Sequence, residues 1–145
     1  MASMSRPRVA AVALVVAAAW IVGCTASPTS PSNSAPFSQT DLVVGQGQAA
    51  ASGNTLTVNY TGWLYDASQP GQKGAQFDAS GATPFTFTLG TGEVIQGWDQ
   101  GIAGMQVGGV RRLVVPPSLA YGATRHVIIP PNATLVFEIQ LLSVQ

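Results

Sequence analysis

The sequence predicts an α+β domain in which an antiparallel β-sheet of about five strands wraps around one short α-helix. Beyond residue 54, several stretches alternate between apolar and polar side chains, which is typical of strands with one buried face. One stretch departs from that period, because its apolar residues are spaced by one, three, four and three positions, as on one face of a helix. These residues are Val94, Ile95, Trp98, Ile102 and Met105. A lone amphipathic helix in a β-rich chain has to bury that face against a sheet.

The strands are predicted by this alternation and by the turns between them. A loop rich in glycine and proline is predicted at 66–75, and an ordered loop between two proline pairs at 118–131. The predicted strands are residues 41–45, 55–65, 85–89, 110–115 and 134–144. Strands with one polar and one apolar face form antiparallel sheets, which completes the α+β assignment.

The N-terminal segment predicts export. Residues 1–23 combine two arginines with an apolar run over 9–22, the pattern of a secretory signal peptide that starts at Met1 or Met4. The run ends in Ile-Val-Gly-Cys, which resembles a bacterial lipobox, so Cys24 is the expected lipid attachment site. We therefore expect a lipid anchor in a bacterial membrane, with the domain facing the periplasm or the cell exterior. Ordinary signal cleavage and an uncleaved anchor are the alternatives.

Two further segments follow the signal peptide. Residues 24–36 are rich in serine, threonine and proline, contain no charge and are predicted to form a flexible tether. Residues 37–145 are then the folded domain, which is long enough for one hydrophobic core. With no further segment for dimerisation, a monomer is expected.

The small number of reactive side chains excludes several kinds of chemistry. The chain has six acidic residues, one histidine and one cysteine, and His126 stands apart from other metal-ligating residues. The sequence therefore predicts no metal site and no cofactor. Without residues 1–23, four basic residues face six acidic ones, a net charge of −2 that does not suit a nucleic-acid partner. This composition favours an uncharged or apolar ligand.

Six blocks of sequence are similar, in order, to those of the FKBP family, the macrolide-binding peptidyl-prolyl cis-trans isomerases. The most specific is the run Glu-Val-Ile-Gln-Gly-Trp at 93–98. The others lie at 58–62, 77–80, 84–90, 120–123 and 128–137. The resemblance implies an FKBP-like fold and catalysed isomerisation of X-Pro bonds in exported proteins. Proline-containing polypeptides are the implied substrates, and rapamycin and tacrolimus are the implied macrolide ligands.

The resemblance also implies a hydrophobic pocket with Trp98 as its floor. Asp78 and Tyr121 would be its polar groups, and the Ile95 N–H would donate to a bound ligand. The loop at 124–128 is one residue shorter than in the family, so no role is assigned to His126. The implied catalytic residues are Tyr60, Phe77, Asp78, Trp98, Tyr121 and Phe137, and the implied substrate-binding residues are Phe85, Val94, Ile95, Ile128 and Ile129.

Two other classes of function are compatible with the same residues. A binding module that only captures proline-containing segments uses the same pocket, and comparing binding with catalysed isomerisation separates the two. A surface interaction protein without a cleft would leave Trp98 inaccessible to any ligand.

Overall fold

The computed structural model describes residues 34–126 and 128–145. Within them, no helix is both long and apolar enough to cross a membrane. The predicted signal peptide, Cys24 and most of the predicted tether lie outside the described residues. The elements are β1 (Ser38–Val43), β2 (Thr55–Tyr65), β3 (Lys73–Ala79), β4 (Phe85–Thr88), α1 (Gln96–Gly101), β5 (Val110–Val115) and β6 (Leu135–Val144), with 3-10 turns at Pro70–Gln72 and Pro117–Leu119.

The strands form one antiparallel sheet in the order β1-β5-β6-β2-β3, and β4 pairs with the first part of β2. The long strands β2 and β6 make up its centre, paired from Leu56 opposite Val144 to Leu64 opposite Leu135. One face of the sheet packs against α1 and buries a single hydrophobic core. The predicted α+β class is confirmed, with six strands in the described part where about five were expected.

The additional strand, β3, begins inside the segment predicted to be a loop at 66–75. Its pairing with β2 begins at Lys73, opposite Tyr65, so the loop prediction is wrong beyond residue 72. The β3 sequence does not alternate in hydrophobicity, because the strand lies at an edge of the sheet and its residues are exposed or half-buried. Backbone pairing, rather than a buried face, defines this strand.

The helix is shorter than the apolar stripe that predicted it. α1 has six residues; Ile95 precedes it in an extended conformation, and Met105 lies beyond its end. Glycine inside the helix lowers its propensity to extend, and Gly104, with a φ of +80°, turns the chain away. Three residues of the stripe are nevertheless buried, because Trp98, Ile102 and Met105 are at most 4% exposed, while Val94 and Ile95 are half-buried.

Two glycines let the backbone of α1 lie directly on β5. A Cβ atom at Gly97 would overlap the side chain of Val115, and one at Gly101 would overlap that of Leu113. Both of those β5 side chains are fully buried. This close approach fixes how deeply Trp98, which follows Gly97, enters the core.

Arg111 connects the C-terminal end of α1 to two strands. Its side chain is buried, and Nη1 donates hydrogen bonds to the carbonyls of Gly101 at 2.8 Å and Ala103 at 3.2 Å. Nε and Nη2 donate to the carboxylate of Asp41 on β1. A cation is favourable at this end of a helix, where carbonyl groups lack partners within the helix.

Candidate active site

An aromatic pocket of about 110 Å³ opens between the N-terminal end of α1 and the sheet. Its walls come from β2, β3, β4 and β6, from the start of α1 and from the loop after β5. The lining residues are Tyr60, Asp78, Phe85, Val94, Ile95, Trp98, Tyr121 and Phe137. Six elements distant in sequence thus contribute to one small cavity.

Trp98 lies at the centre of the aromatic cluster and is 4% exposed. The rings of Tyr60 and Phe137 meet it edge to face, with centroids 5.0 and 5.3 Å away. Such T-shaped pairs place a positive ring edge against a negative ring face and stabilise a fixed geometry. The indole Nε1 is buried and has no hydrogen-bond partner within the described residues. An unpaired buried donor costs stability, which is typical of a site kept for function.

A phenol and a carboxylate are joined at the pocket wall. The Tyr60 hydroxyl donates to Asp78 Oδ2 at 2.7 Å, and the backbone N–H of Ala79 donates to Oδ1 at 2.8 Å. Burial, together with the hydrogen bond to Asp78, raises the pKa of Tyr60 well above its ordinary value. Burial and the nearby Asp78 charge also raise the pKa of Tyr121. Both phenols therefore stay neutral near pH 7 and can act as hydrogen-bond donors.

Ile95 places a backbone donor beside the pocket. Its carbonyl accepts from the N–H groups of Trp98 and Asp99, which begins the helix. Its own N–H donates to no acceptor in the part of the chain that the structure describes. The first N–H groups of a helix have no partners within it and are ready to bind a carbonyl of a ligand.

Comparison with known proteins identifies the family. Residues 46–142 match the family model described as FKBP-type peptidyl-prolyl cis-trans isomerase. The chain belongs to the FKBP family. An FK506-binding protein of Neisseria meningitidis serogroup A is 47% identical over 107 residues, which cover 72% of this chain and 92% of the relative. FK506-binding protein 4 of Dictyostelium discoideum is 50% identical over 104 residues, which cover 71% of this chain and 27% of that one.

Solved structures with the FKBP fold are also similar. The crystal structure of FkpA from Escherichia coli aligns with a TM-score of 0.65 and 39% identity, over 75% of this chain and about half (48%) of that one. The crystal structure of AtFKBP13 aligns with a TM-score of 0.64 and 36% identity, over 75% of this chain and 93% of that one. The protein is thus an FKBP-type peptidyl-prolyl cis-trans isomerase, which confirms the predicted fold and activity.

The structure of this FKBP domain brings together eight of the eleven residues expected at the pocket. Phe77 lies behind the wall, where its ring packs edge to face on Phe137 at 5.6 Å. Ile129 is 6% exposed and belongs to the core, while Ile128 is 60% exposed. These two isoleucines line a neighbouring cavity instead of the aromatic pocket.

Two residues near the site were not singled out from the sequence. Phe87 is buried, stacks on Phe85 at 5.7 Å and lies 5.8 Å from the Trp98 ring, so it supports the pocket from below. The two phenylalanines are two positions apart on β4 and therefore lie on the same face of the strand. This spacing could have identified Phe87 from the sequence. His126 packs on Tyr121, with ring centroids 4.1 Å apart. No sequence pattern indicates this second contact.

A larger depression of about 320 Å³ lies on the face of the sheet that points away from α1. Its walls are mainly polar and include Asn59, Ser80, Glu138 and Gln140. The indole of Trp98 and the aromatic cluster are on the other face of the sheet. The smaller aromatic pocket is therefore the candidate isomerase site. No cluster of metal-ligating side chains occurs in the described ranges.

Proposed function

We propose that this FKBP domain binds the prolyl ring of a polypeptide over Trp98 and lets the preceding peptide bond twist within the aromatic pocket. The size of the pocket supports this assignment. An apolar cavity of about 150 Å³ accommodates one benzene molecule, so a cavity of about 110 Å³ suits a single five-membered ring. The lining of aromatic and aliphatic side chains fits an uncharged ring.

The chemistry needs no nucleophile. Rotation about a peptide bond is opposed by a barrier of about 18–20 kcal/mol, because the planar form is stabilised by resonance. Resonance also separates charge, which water solvates well, and twisting removes part of that dipole. A dry aromatic pocket therefore destabilises the planar amide more than the twisted one. Lowering the barrier by about 5 kcal/mol would accelerate exchange a few thousandfold.

The polar groups of the pocket are proposed to orient the substrate. The Ile95 N–H and the neutral Tyr121 hydroxyl would donate hydrogen bonds to substrate carbonyls. Asp78, bonded to Tyr60, would keep that phenol ring edge-on to Trp98. These interactions hold the flanking residues while the peptide bond turns, so binding energy contributes to the transition state.

The proposed setting is the folding of exported proteins. The apolar run at 9–22 and the following Ile-Val-Gly-Cys support export and acylation of Cys24. Replacing the cysteine in a Cys24→Ser variant should release the protein from the membrane fraction or leave it unprocessed. Metabolic labelling with a fatty acid tests this directly, because only the wild-type chain should become labelled. Equal labelling of both chains would refute acylation at Cys24.

Macrolides are proposed as a second class of ligand. Tacrolimus has a ring that resembles proline, and the Neisseria relative is named an FK506-binding protein. The 124–128 loop is shorter than in the smallest family members, so we expect binding weaker by about 1–2 kcal/mol, or ten- to thirtyfold. Isothermal titration with tacrolimus and rapamycin measures this. A folded, active sample that binds neither macrolide would contradict the proposal.

The decisive experiment compares two tryptophans in the full chain. Trp98→Leu should lower kcat/KM for an X-Pro peptide at least about tenfold, because the aromatic floor of the pocket is lost. Trp63→Leu is the matched control, since Trp63 lies on the other face of the sheet beside Lys73. NMR exchange spectroscopy reports the isomerisation rate, and peptide binding is titrated in parallel. Full activity in folded Trp98→Leu, or binding without catalysis in wild type, would refute the proposed mechanism.

A further inference from the structure

A second cavity lies next to the aromatic pocket, separated from it by one pair of rings. The imidazole of His126 packs on the Tyr121 ring, with the ring planes inclined by 54°. Tyr121 lines the aromatic pocket, whereas His126 lines the second cavity, which has a volume of about 240 Å³. A polypeptide whose proline occupies the pocket therefore has its neighbouring residues within reach of this cavity.

The walls of the second cavity are apolar apart from Arg125 and His126. Two backbone hydrogen bonds join His126 and Ile129, each N–H donating to the other residue's carbonyl. The lining of the cavity consists of Arg125, His126, Ile128, Ile129, Pro130 and Pro131. An apolar wall that ends in a cation can hold an extended segment and select one charged side chain on it.

The charge of Arg125 is available for a ligand. Residues 34–126 and 128–145 contain four lysines and arginines, and three of these form ion pairs with Glu138 or Asp41. Arg125 is exposed and has no carboxylate within salt-bridge distance in that part of the chain. Among the described residues, Arg125 is therefore the basic residue whose positive charge is not neutralised by an ion pair, and its charge can attract an acidic ligand.

We propose that Arg125 makes this isomerase favour substrates that carry a glutamate or aspartate a few residues from the proline. This inference rests on the proposed binding of the prolyl ring over Trp98. A guanidinium group donates paired hydrogen bonds to a carboxylate, while its stem packs along the apolar wall. The same charge disfavours lysine at that position. An exposed ion pair of this kind changes kcat/KM about two- to fivefold, and salt weakens the effect.

The test uses pairs of peptides that differ only in having glutamate or glutamine at one position within three residues of the proline. We expect kcat/KM of the full chain to be about threefold higher for glutamate at one or more positions, at low salt and mildly alkaline pH. Arg125→Gln should bring the ratio to one, and Arg125→Lys should keep part of it. Lys73→Gln is the matched control, because it removes a positive charge from the far side of the sheet and should leave the ratio unchanged.

The outcomes separate this inference from the proposed function. Equal rates for every glutamate and glutamine pair, or an unchanged ratio in Arg125→Gln, would overturn the role of Arg125 while the isomerase mechanism stands. Failure to isomerise the neutral peptide would overturn the proposed mechanism. In that case the ratio of peptide affinities, measured by isothermal titration on the same samples, still decides whether Arg125 selects acidic segments.

Discussion

The hydroxyl of Tyr60 donates a 2.7 Å hydrogen bond to the carboxylate of Asp78, and the ring of the same tyrosine stands edge-on to Trp98. The carboxylate is held on its other oxygen by the Ala79 N–H. One polar contact thus links β3 to the aromatic floor of the pocket. A hydrogen bond to an ionised acceptor is shorter and stronger than one between neutral groups. The two residues should therefore act as a unit.

A double-mutant cycle tests this coupling. Tyr60→Phe and Asp78→Ala should each lower kcat/KM about five- to tenfold. Each change removes the hydrogen bond that holds the Tyr60 ring in place against Trp98. The double variant should be little worse than the more damaged single variant, which gives a coupling energy of about 1 kcal/mol. Peptide isomerisation measured by NMR exchange provides the rates. Strictly additive losses would mean that the two residues contribute independently.

The stability of the domain should fall at alkaline pH because of Tyr60. Burial raises its pKa above the ordinary value of 10.0, so the folded state favours the neutral phenol. This contribution to the free energy of unfolding is complete below pH 10 and is lost as the pH rises above it. Between pH 10 and 11, the free energy of unfolding of wild type should therefore fall by up to about 1 kcal/mol more than that of Tyr60→Phe. Solvent screening of this partly exposed side chain makes the expected difference smaller than that limit. Urea unfolding at each pH measures the difference, and parallel curves would contradict it.

Arg111 should stabilise the domain mainly through the helix carbonyls. Arg111→Met leaves the Gly101 and Ala103 carbonyls without their donor, so we expect the free energy of unfolding to fall by about 2–4 kcal/mol. Asp41→Asn removes only a partner whose side chain is 42% exposed and should cost about 1 kcal/mol or less. Denaturant unfolding compares the two variants. Equal losses would show that the ion pair, and not the carbonyl contacts, dominates.

The sequence predicted the bounds of strands that bury side chains better than those of exposed strands: β1, which is exposed throughout, was expected at 41–45 but runs from Ser38 to Val43. β2 was predicted with its observed bounds, because buried side chains at every second position produce the alternation. β5 was also predicted with its observed bounds, but from the glycine pair before it and the proline pair after it. β3 has no buried face, so only its backbone pairing reveals it. The glycines that shorten α1 have no hydrophobic signal, and their contacts with Val115 and Leu113 join segments far apart in sequence.

For the site, sequence reasoning identified residue types better than their positions in space. The aromatic residues were suggested by the family blocks, and most of them line one pocket. Ile129 was expected near the rim but is 6% exposed and belongs to the hydrophobic core. The contact of His126 with Tyr121 depends on the conformation of the loop that joins them. Neither position follows from composition or periodicity.

The contact between Gly97 and Val115 gives a prediction in which two physical effects oppose each other. Alanine is a better helix former than glycine by about 1 kcal/mol, so Gly97→Ala would stabilise a solvent-exposed helix. Here the added methyl group would overlap the Val115 side chain, which is fully buried. Overpacking of this kind costs about 1–3 kcal/mol, so we expect a net loss of about 1–2 kcal/mol in the free energy of unfolding.

Val115→Ala removes the two methyl groups that the new side chain would meet, and by itself should cost about 2 kcal/mol through the cavity it leaves. The double variant should therefore be more stable than the sum of the single effects predicts, by about 1–2 kcal/mol. Val114→Ala is the matched control, because Val114 is buried on the opposite face of β5 and should combine additively with Gly97→Ala. Urea unfolding of the five variants measures these differences, and a stabilising Gly97→Ala would mean that α1 does not lie on β5 as closely as the structure indicates.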